Sequence, residues 1–469
     1  MQSGEQATRL EIHTIRPIPL DQRHGTARDL FTVWFGTNVQ LLAIATGGLA
    51  VTVFGLPFGW AVLGLGVGNL IGAFFMALHA AQGPVLGVPQ MVQTRGQFGS
   101  YGSLLVVGIV IVMYIGFLAS NLVLGGEALA SLAPGLTPTP CIVFVAIIGV
   151  IAAIYGHDLI HAYTRVMTYV AGLVLLLAAA WILWVHGLPA DFLERNSFRP
   201  SGLLGTITVS ALWQISYAPY VSDYSRYMPP GTGAREAFWA SYWGCALGSL
   251  LPMVLGAMVG VAMDKGSLVA GLAALTHGIA PLVLIVFSVG IAASNAMNLY
   301  CGALCALTFG QTLVSSWAPA ARARGIISGV LGLLSLGVAL LSKDSFLANY
   351  TEFIDMLLYV LVPWTAINLV DYYLLRHGRY DVPAFFMPDG GMYGRVNGPA
   401  VACYVLGTLV QLPWIVSPLY TGPIARAIGG ADLSWIVGLA VTSPAYYWLA
   451  KRSQARQDAR LMRTAPLQT

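Results

Sequence analysis

Long apolar stretches of about the ~20 residues that cross a bilayer, separated by short polar connections, dominate the chain. Twelve segments follow from this pattern: 29–54, 58–81, 103–130, 141–156, 164–186, 203–226, 237–262, 278–302, 325–342, 352–375, 399–417 and 431–450. Two of them break the pattern. The first reads WFGTNVQLLAIATGG and sets Gly36, Thr37, Asn38 and Gln40 at membrane depth. The sixth contains WQISYAPYVSDYSRYMP, with Pro219, Ser222 and Asp223 inside an otherwise spanning segment. Proline removes a backbone donor, and irregular backbone survives in a bilayer only where it faces protein or water. The sixth segment reads as a broken helix lining a transport site, against the plainer reading of a Pro-kinked structural helix.

The two breaks lie five segments apart, as in transporters built from inverted repeats with binding sites at the repeat interface. The expected fold is an all-α integral membrane protein with two inverted five-helix repeats, 28–186 and 203–375. Two further helices follow in 397–450, and polar tails occupy 1–27 and 451–469. Residues 1–27 carry no apolar core of a cleavable signal, and no fold is implied there.

Composition agrees. Of 469 residues, 57% are hydrophobic and 9% charged, with mean hydropathy +0.74, against about 25% charged in soluble domains. With the N-terminus inside, 18 of the 23 Lys and Arg fall on the inner side of this topology. The positive-inside rule then places both termini in the cytoplasm of a multi-pass plasma- or inner-membrane protein. The five cysteines sit in apolar segments without metal spacing and read as small buried hydrophobes. No nucleophile arrangement, phosphate loop, metal cluster or cofactor motif appears. Neither an enzyme, a resident cofactor nor a nucleic-acid partner is expected, and the lipid bilayer is the surrounding medium.

Four polar sets lie at membrane depth. The first is Gly36, Thr37, Asn38 and Gln40. The second is Tyr114, Phe117, Ser120 and Asn121; Tyr114, Phe117 and Asn121 share a helical face at i, i+3, i+7. The third is Trp213, Gln214, Ser216, Tyr217, Tyr220 and Asp223. The fourth is Ser294, Asn295 and Asn298. Aromatic faces with amide edges suit a flat, neutral, polar heterocycle; the lack of basic residues there argues against a phosphate. For each asparagine the alternative is interhelical glue worth ~0.6 kcal/mol. Among intramembrane carboxylates, Glu127 and Asp223 are candidates for proton coupling, Asp223 with Arg226 three residues on as a competing structural partner. Asp371, near the inner end of segment 10, invites the same structural reading. Trp181, Trp184, Trp414, Tyr446, Tyr447 and Trp448 read as interface-belt aromatics, and His79, His157, His161 and His277 receive no proton role.

Six stretches carry a resemblance: WFGTNVQLLAIATG (34–47), VPQMVQTRGQFGSYGS (88–103), YIGFLASNLVLGG (114–126), YAPYVSDYSRYMP (217–229), SNAMNLYCG (294–302) and VPWTAINLVDYYLLRHGRYDV (362–382). The chain resembles the nucleobase–cation symport family of permeases, in its purine–cytosine branch. The resemblance implies substrates among cytosine, purines, uracil, hydantoins, allantoin and some vitamins. It implies contacts at Tyr114, Phe117, Asn121, Trp213, Tyr217, Asn295 and Asn298. The hydantoin branch carries Trp and Gln four apart on segment 3, where this chain has Tyr114 and Leu118. Sodium-dependent relatives place hydroxyls before the segment 8 asparagines, where this chain has Ala292 and Ala293. The expected activity is therefore proton-coupled nucleobase import by alternating access; the alternative is sodium-coupled import of allantoin, hydantoin or a vitamin-like heterocycle.

Overall fold

The computed structural model describes residues 14–132, 135–155, 157–263, 267–417 and 419–464. Arg9, Lys265 and residues 465–469 lie outside them, as do the side chains of His157 and His161. The helices of eight or more residues are α1 (Ala27–Asn38), α2 (Leu41–Thr52), α3 (Phe58–Ala80), α4 (Gln90–Phe98), α5 (Ser103–Ala130), α6 (Pro138–Tyr155), α7 (His157–Trp181) and α8 (Pro200–Ile215). They continue as α9 (Ala218–Ser225), α10 (Pro230–Ala262), α11 (Leu268–Leu275), α12 (Ala280–Leu313), α13 (Ala321–Ser342), α14 (Phe346–Leu369), α15 (Gly398–Leu409) and α16 (Ser434–Thr464). Among the described residues the only strand-like pairing is an isolated bridge between Val416 and Thr421. Six helical stretches there are long and apolar enough to cross a bilayer, and a seventh if α1 and α2 form one bent span.

Both expected breaks are present. α1 starts at a Thr26 cap, whose hydroxyl oxygen accepts from the Asp29 amide at 3.2 Å, filling one orphan donor of the first turn. It stops at Asn38, whose side chain turns back to donate to the Trp34 carbonyl at 2.8 Å. Gln40 is extended (φ −149°, ψ 167°), and α2 leaves at 60° to α1. The second break falls between α8 and α9. Pro219 has no N–H to give the Ile215 carbonyl, so the first helix ends there and the second starts with proline inside its first turn.

Helices α1, α2, α3, α8, α9 and α10 pack as one group, and α5, α6, α12 and α13 as another. α14, α15 and α16 form a third, while α7 bridges α1 and α12. Small residues let the backbones touch. A Cβ at Gly256 would lie 1.8 Å from the Ile44 carbonyl oxygen, and one at Gly47 2.0 Å from that of Met253. This is the small-residue contact typical of membrane helices. The outward faces are apolar, as Leu333 and Leu341 of α13 illustrate.

The segment expected at 399–417 is helical only to Leu409, and α16 runs on to Thr464 through the expected tail; three further segments depart from the sequence reading. α4 was expected as connection; it is a buried helix of mostly polar residues, Gln90, Gln93, Thr94, Arg95 and Gln97 all inaccessible. Amide hydrogen bonds to Gln82 and Asn368 and carbonyls around Arg95 replace water there. α12 runs to Leu313, beyond the expected end at 302, and its last turns accept from the Arg95 guanidinium through Thr308 O and Thr312 Oγ1. The N-terminal tail is docked from Thr14 onward. Ile15 and Ile18 are buried, the Ile18 amide donates to Gly87 O and Arg226 donates to Thr14 O.

The Gly256–Ile44 contact makes a sharp prediction. Gly256→Val should destabilise the detergent-purified protein by on the order of 1–3 kcal/mol or more, the usual range for overpacking. Thermal unfolding measures it, and a wild-type midpoint would show that the α2–α10 contact is looser than described.

Candidate functional site

The two breaks and the middles of α5 and α12 converge on one cleft. Its lining is Gln40 and Leu42 at the first break, Phe117 and Asn121 on α5, and Trp213, Ser216, Tyr217 and Tyr220 around the second break. Ser294, Met297 and Asn298 on α12 complete it. It encloses about 10 Å³, close to the room one water needs, so a flat ring enters only when these side chains part. The lining carries no charged side chain.

Ser294 ties three elements together. Its hydroxyl oxygen accepts from Gln40 Nε2 at 3.2 Å and from Asn121 Nδ2 at 3.1 Å. Among the described residues, the carbonyl ends of both amides, Gln40 Oε1 and Asn121 Oδ1, are buried with no hydrogen-bond partner. Each such acceptor costs roughly 1–3 kcal/mol until something donates to it. Across the cleft, Tyr220 donates its hydroxyl to Asn298 Oδ1 at 2.6 Å. The aromatic wall is continuous. Trp213 meets Phe117 edge-on at 6.3 Å and Tyr217 at 5.9 Å, and Tyr217 meets Tyr220 at 5.4 Å.

Of the polar and aromatic positions named from sequence, Gln40, Phe117, Asn121, Trp213, Ser216, Tyr217, Tyr220, Ser294 and Asn298 therefore meet at the cleft. The others lie outside its lining. Gly36 faces α7, where a Cβ would stand 2.6 Å from Thr164 O. Thr37 bonds back to Val33 O. Asn38 Oδ1 accepts from Trp213 Nε1 at 2.9 Å and from Ser249 Oγ at 2.8 Å, anchoring the indole from behind. Gln214 donates to Asn69 Oδ1 at 2.7 Å. Tyr114 donates to Pro219 O at 3.2 Å and packs edge-on to Tyr220. Asn295 is turned towards Gly149 of α6.

Neither carboxylate candidate lines the cleft. Glu127 is half-buried near the end of α5. Asp223 is buried and accepts the Gln90 amide at 2.9 Å, which caps the N-terminus of α4. Arg226 Nε donates to the main-chain carbonyl of Asp223 at 3.2 Å. Asp371 holds Arg376 at 2.9 Å and the Tyr446 hydroxyl, so Tyr446 is a packed network residue and not part of an interface belt.

Leu42 and Met297 were invisible as site residues because an apolar lining carries no polar mark. Ser216 and Tyr220 belonged to the membrane-depth polar set without being singled out as contacts. The available signal was the i, i+3 spacing of Tyr217 and Tyr220, which puts both rings on one side of the break.

Comparison with known proteins bears on this geometry. The sequence profile of a family described as permeases for cytosine/purines, uracil, thiamine and allantoin matches residues 17–438. The putative purine-cytosine permease YxlA of Bacillus subtilis is 38% identical over 447 residues, spanning 94% of this chain and 96% of its own. The purine-cytosine permease FCY21 of Saccharomyces cerevisiae is 26% identical, spanning 92% and 84%. Among solved structures, Mhp1, a nucleobase-cation-symport-1 family transporter in a closed conformation with bromovinylhydantoin bound, superposes with a TM-score of 0.75. It is 18% identical and covers 94% of this chain and 96% of its own. A Na+-coupled sialic acid symporter superposes at 0.67, with 13% identity, 92% of this chain and 91% of its own. The fold is thus that of the broken-helix transporters.

The shared acceptor predicts non-additivity. Asn38→Ala and Ser249→Ala should each lower thermal stability, by about 1 kcal/mol or more, and the double variant should lose less than the sum because the three groups form one network. Strict additivity in thermal unfolding would dissolve the Asn38–Trp213–Ser249 unit.

Proposed function

Because this chain belongs to the permease family for cytosine/purines, uracil, thiamine and allantoin, and is therefore a secondary transporter and no enzyme, we propose that it imports a nucleobase together with a proton. The carrying observation is the pair of unpartnered amide oxygens, Gln40 Oε1 and Asn121 Oδ1, beside an uncharged aromatic wall. Cytosine and the purines present N–H groups at the edge of a flat ring. Such an edge supplies the missing donors, while Trp213, Phe117 and Tyr217 cover the faces. Asn298 completes the edge contacts.

The proposed topology is twelve spans in the cell membrane with both termini cytoplasmic, built on inverted repeats 28–186 and 203–375, helices in 397–450, and tails at 1–27 and 451–469. The arginine and lysine distribution supports the orientation. Alternating access then moves the α1–α3 and α8–α10 group against the α5, α6, α12 and α13 group, with the cleft between them. Proton coupling rests on Ala292 and Ala293, which offer no side-chain oxygen to sodium on α12. Asp223 and Glu127 remain the proton-acceptor candidates.

Two outcomes are expected. Asn121→Ala and Asn298→Ala should each weaken nucleobase binding by about 1–3 kcal/mol with little loss of folding; wild-type affinity in both would reduce them to packing residues. Uptake into proteoliposomes should be driven by an inward proton gradient, alkalinise the outside during uptake, and be indifferent to replacing sodium by choline. Sodium-dependent affinity without proton movement would overturn the coupling.

A further inference from the structure

A second and larger cavity lies apart from the central cleft, enclosing about 190 Å³ on the face where α14 ends and α15 begins. Asp371, 1% exposed, sits in its wall. Its carboxylate is already occupied: Oδ1 accepts from Tyr446 at 2.9 Å, and Oδ2 accepts from Arg376 Nε at 2.9 Å and from the Tyr380 hydroxyl. Arg376 is thereby fixed. Its guanidinium carbon lies 4.8 Å from the Tyr393 ring centroid and 5.3 Å from that of Tyr380.

This clamp uses one N–H of the guanidinium. Among the described residues no acceptor meets Nη1 or Nη2, although Arg376 lines the cavity. The adjoining wall adds donors. Asn397, also in the wall, turns its side chain away to donate to Gln97 O at 2.6 Å and gives the first turn of α15 no side-chain cap. Ser453 contributes a hydroxyl. The rim is apolar and outward-facing, with Met392 68% and Val396 58% exposed. α15, which starts in the wall, also exposes Leu406 and Leu409. Exposed Arg395 and Arg452 flank lining residues in sequence. Fixed donors in a cavity beside an outward-facing apolar surface match an amphiphile with an oxyanion head.

We propose that this cavity binds a phosphoryl oxyanion presented by an anionic membrane phospholipid, with Arg376 as the principal donor and the apolar rim taking the start of the acyl chains. Such a ligand would brace the start of α15 against the Asp371 network, which already joins the chain just past α14 to Tyr446 of α16. The inference needs only a bilayer around the chain and is independent of the transported substrate and the coupling ion.

The test uses the purified full-length protein, stripped of lipid and supplied with phosphatidylglycerol, phosphatidylcholine or inorganic phosphate. Native mass spectrometry reads retained lipid and thermal unfolding reads stabilisation. Phosphatidylglycerol should be retained and raise the midpoint, while phosphatidylcholine does so weakly. Arg376→Gln should weaken retention by about tenfold, the scale of one charge-assisted contact. That change also strips Asp371 of a partner. Ser453→Glu leaves the ion pair intact, sets a carboxylate against the oxyanion, and should weaken retention as much. If inorganic phosphate protects as well as the lipid, and both variants abolish it, the oxyanion site stands with a soluble source and the lipid assignment falls. Wild-type retention of phosphatidylglycerol in both variants, with no protection by phosphate, overturns the site.

Discussion

A backbone group in the bilayer core has no water to turn to, and each one left unmet costs several kcal/mol. This constraint governs the whole architecture, because α1–α2 and α8–α9 are both interrupted where the cleft lies. An interrupted helix must therefore be wrapped by protein. The wrapping is visible as the Tyr114 hydroxyl on Pro219 O, Ser216 on Trp213 O, and Asn38 on Trp34 O. The glycine contacts between α2 and α10 belong to the same solution. They bring a continuous helix against a broken one closely enough to exclude lipid.

The breaks were legible in the sequence because their causes are local. Pro219 removes a specific hydrogen bond whatever surrounds it, and a run of Gly, Thr, Asn and Gln within an apolar segment has no place facing lipid. Which of those polar residues face the cleft was not legible. Asn38 and Gln40 are two residues apart and both inaccessible. Yet one supports the Trp213 indole from behind while the other reaches Ser294. That division follows the direction in which the chain leaves α1, a 60° turn between helices packed against α7, α10 and α12, all distant in sequence.

The connections between the apolar segments were the least legible part for a different reason. α4 is polar by composition, and a polar stretch between apolar segments reads as solvated loop. Here its amides are consumed by Gln82, Asn368 and Tyr380, and its arginine by carbonyls of Phe385 and Thr308. Those partners lie more than 200 residues away for Arg95, so no window along the sequence contains the pairing. The docked segment from Thr14 is similar. Two isoleucines among polar neighbours give no periodic pattern, yet both are buried, and Ile15 packs into an apolar recess with Leu86, Val88 and Leu307.

These buried polar contacts also bear on how the two packed groups could separate. The N-terminal segment bonds Gly87 and Arg226 beside the first group, and Pro319 beyond α12 of the second. Asp223 of α9 caps α4, which in turn holds α12 through Arg95 and α14 through Asn368. Opening that face therefore means exchanging several hydrogen bonds together, each with a modest net value of about 1 kcal/mol but a larger penalty if left unmade. Water entering the opening cleft can take up the freed donors and acceptors, which it cannot do while the face is closed. The energetics thus favour two discrete arrangements, one dry and bonded and one hydrated. Intermediates with broken bonds and no water are the costly states between them. A cleft with room for a single water belongs to the dry arrangement.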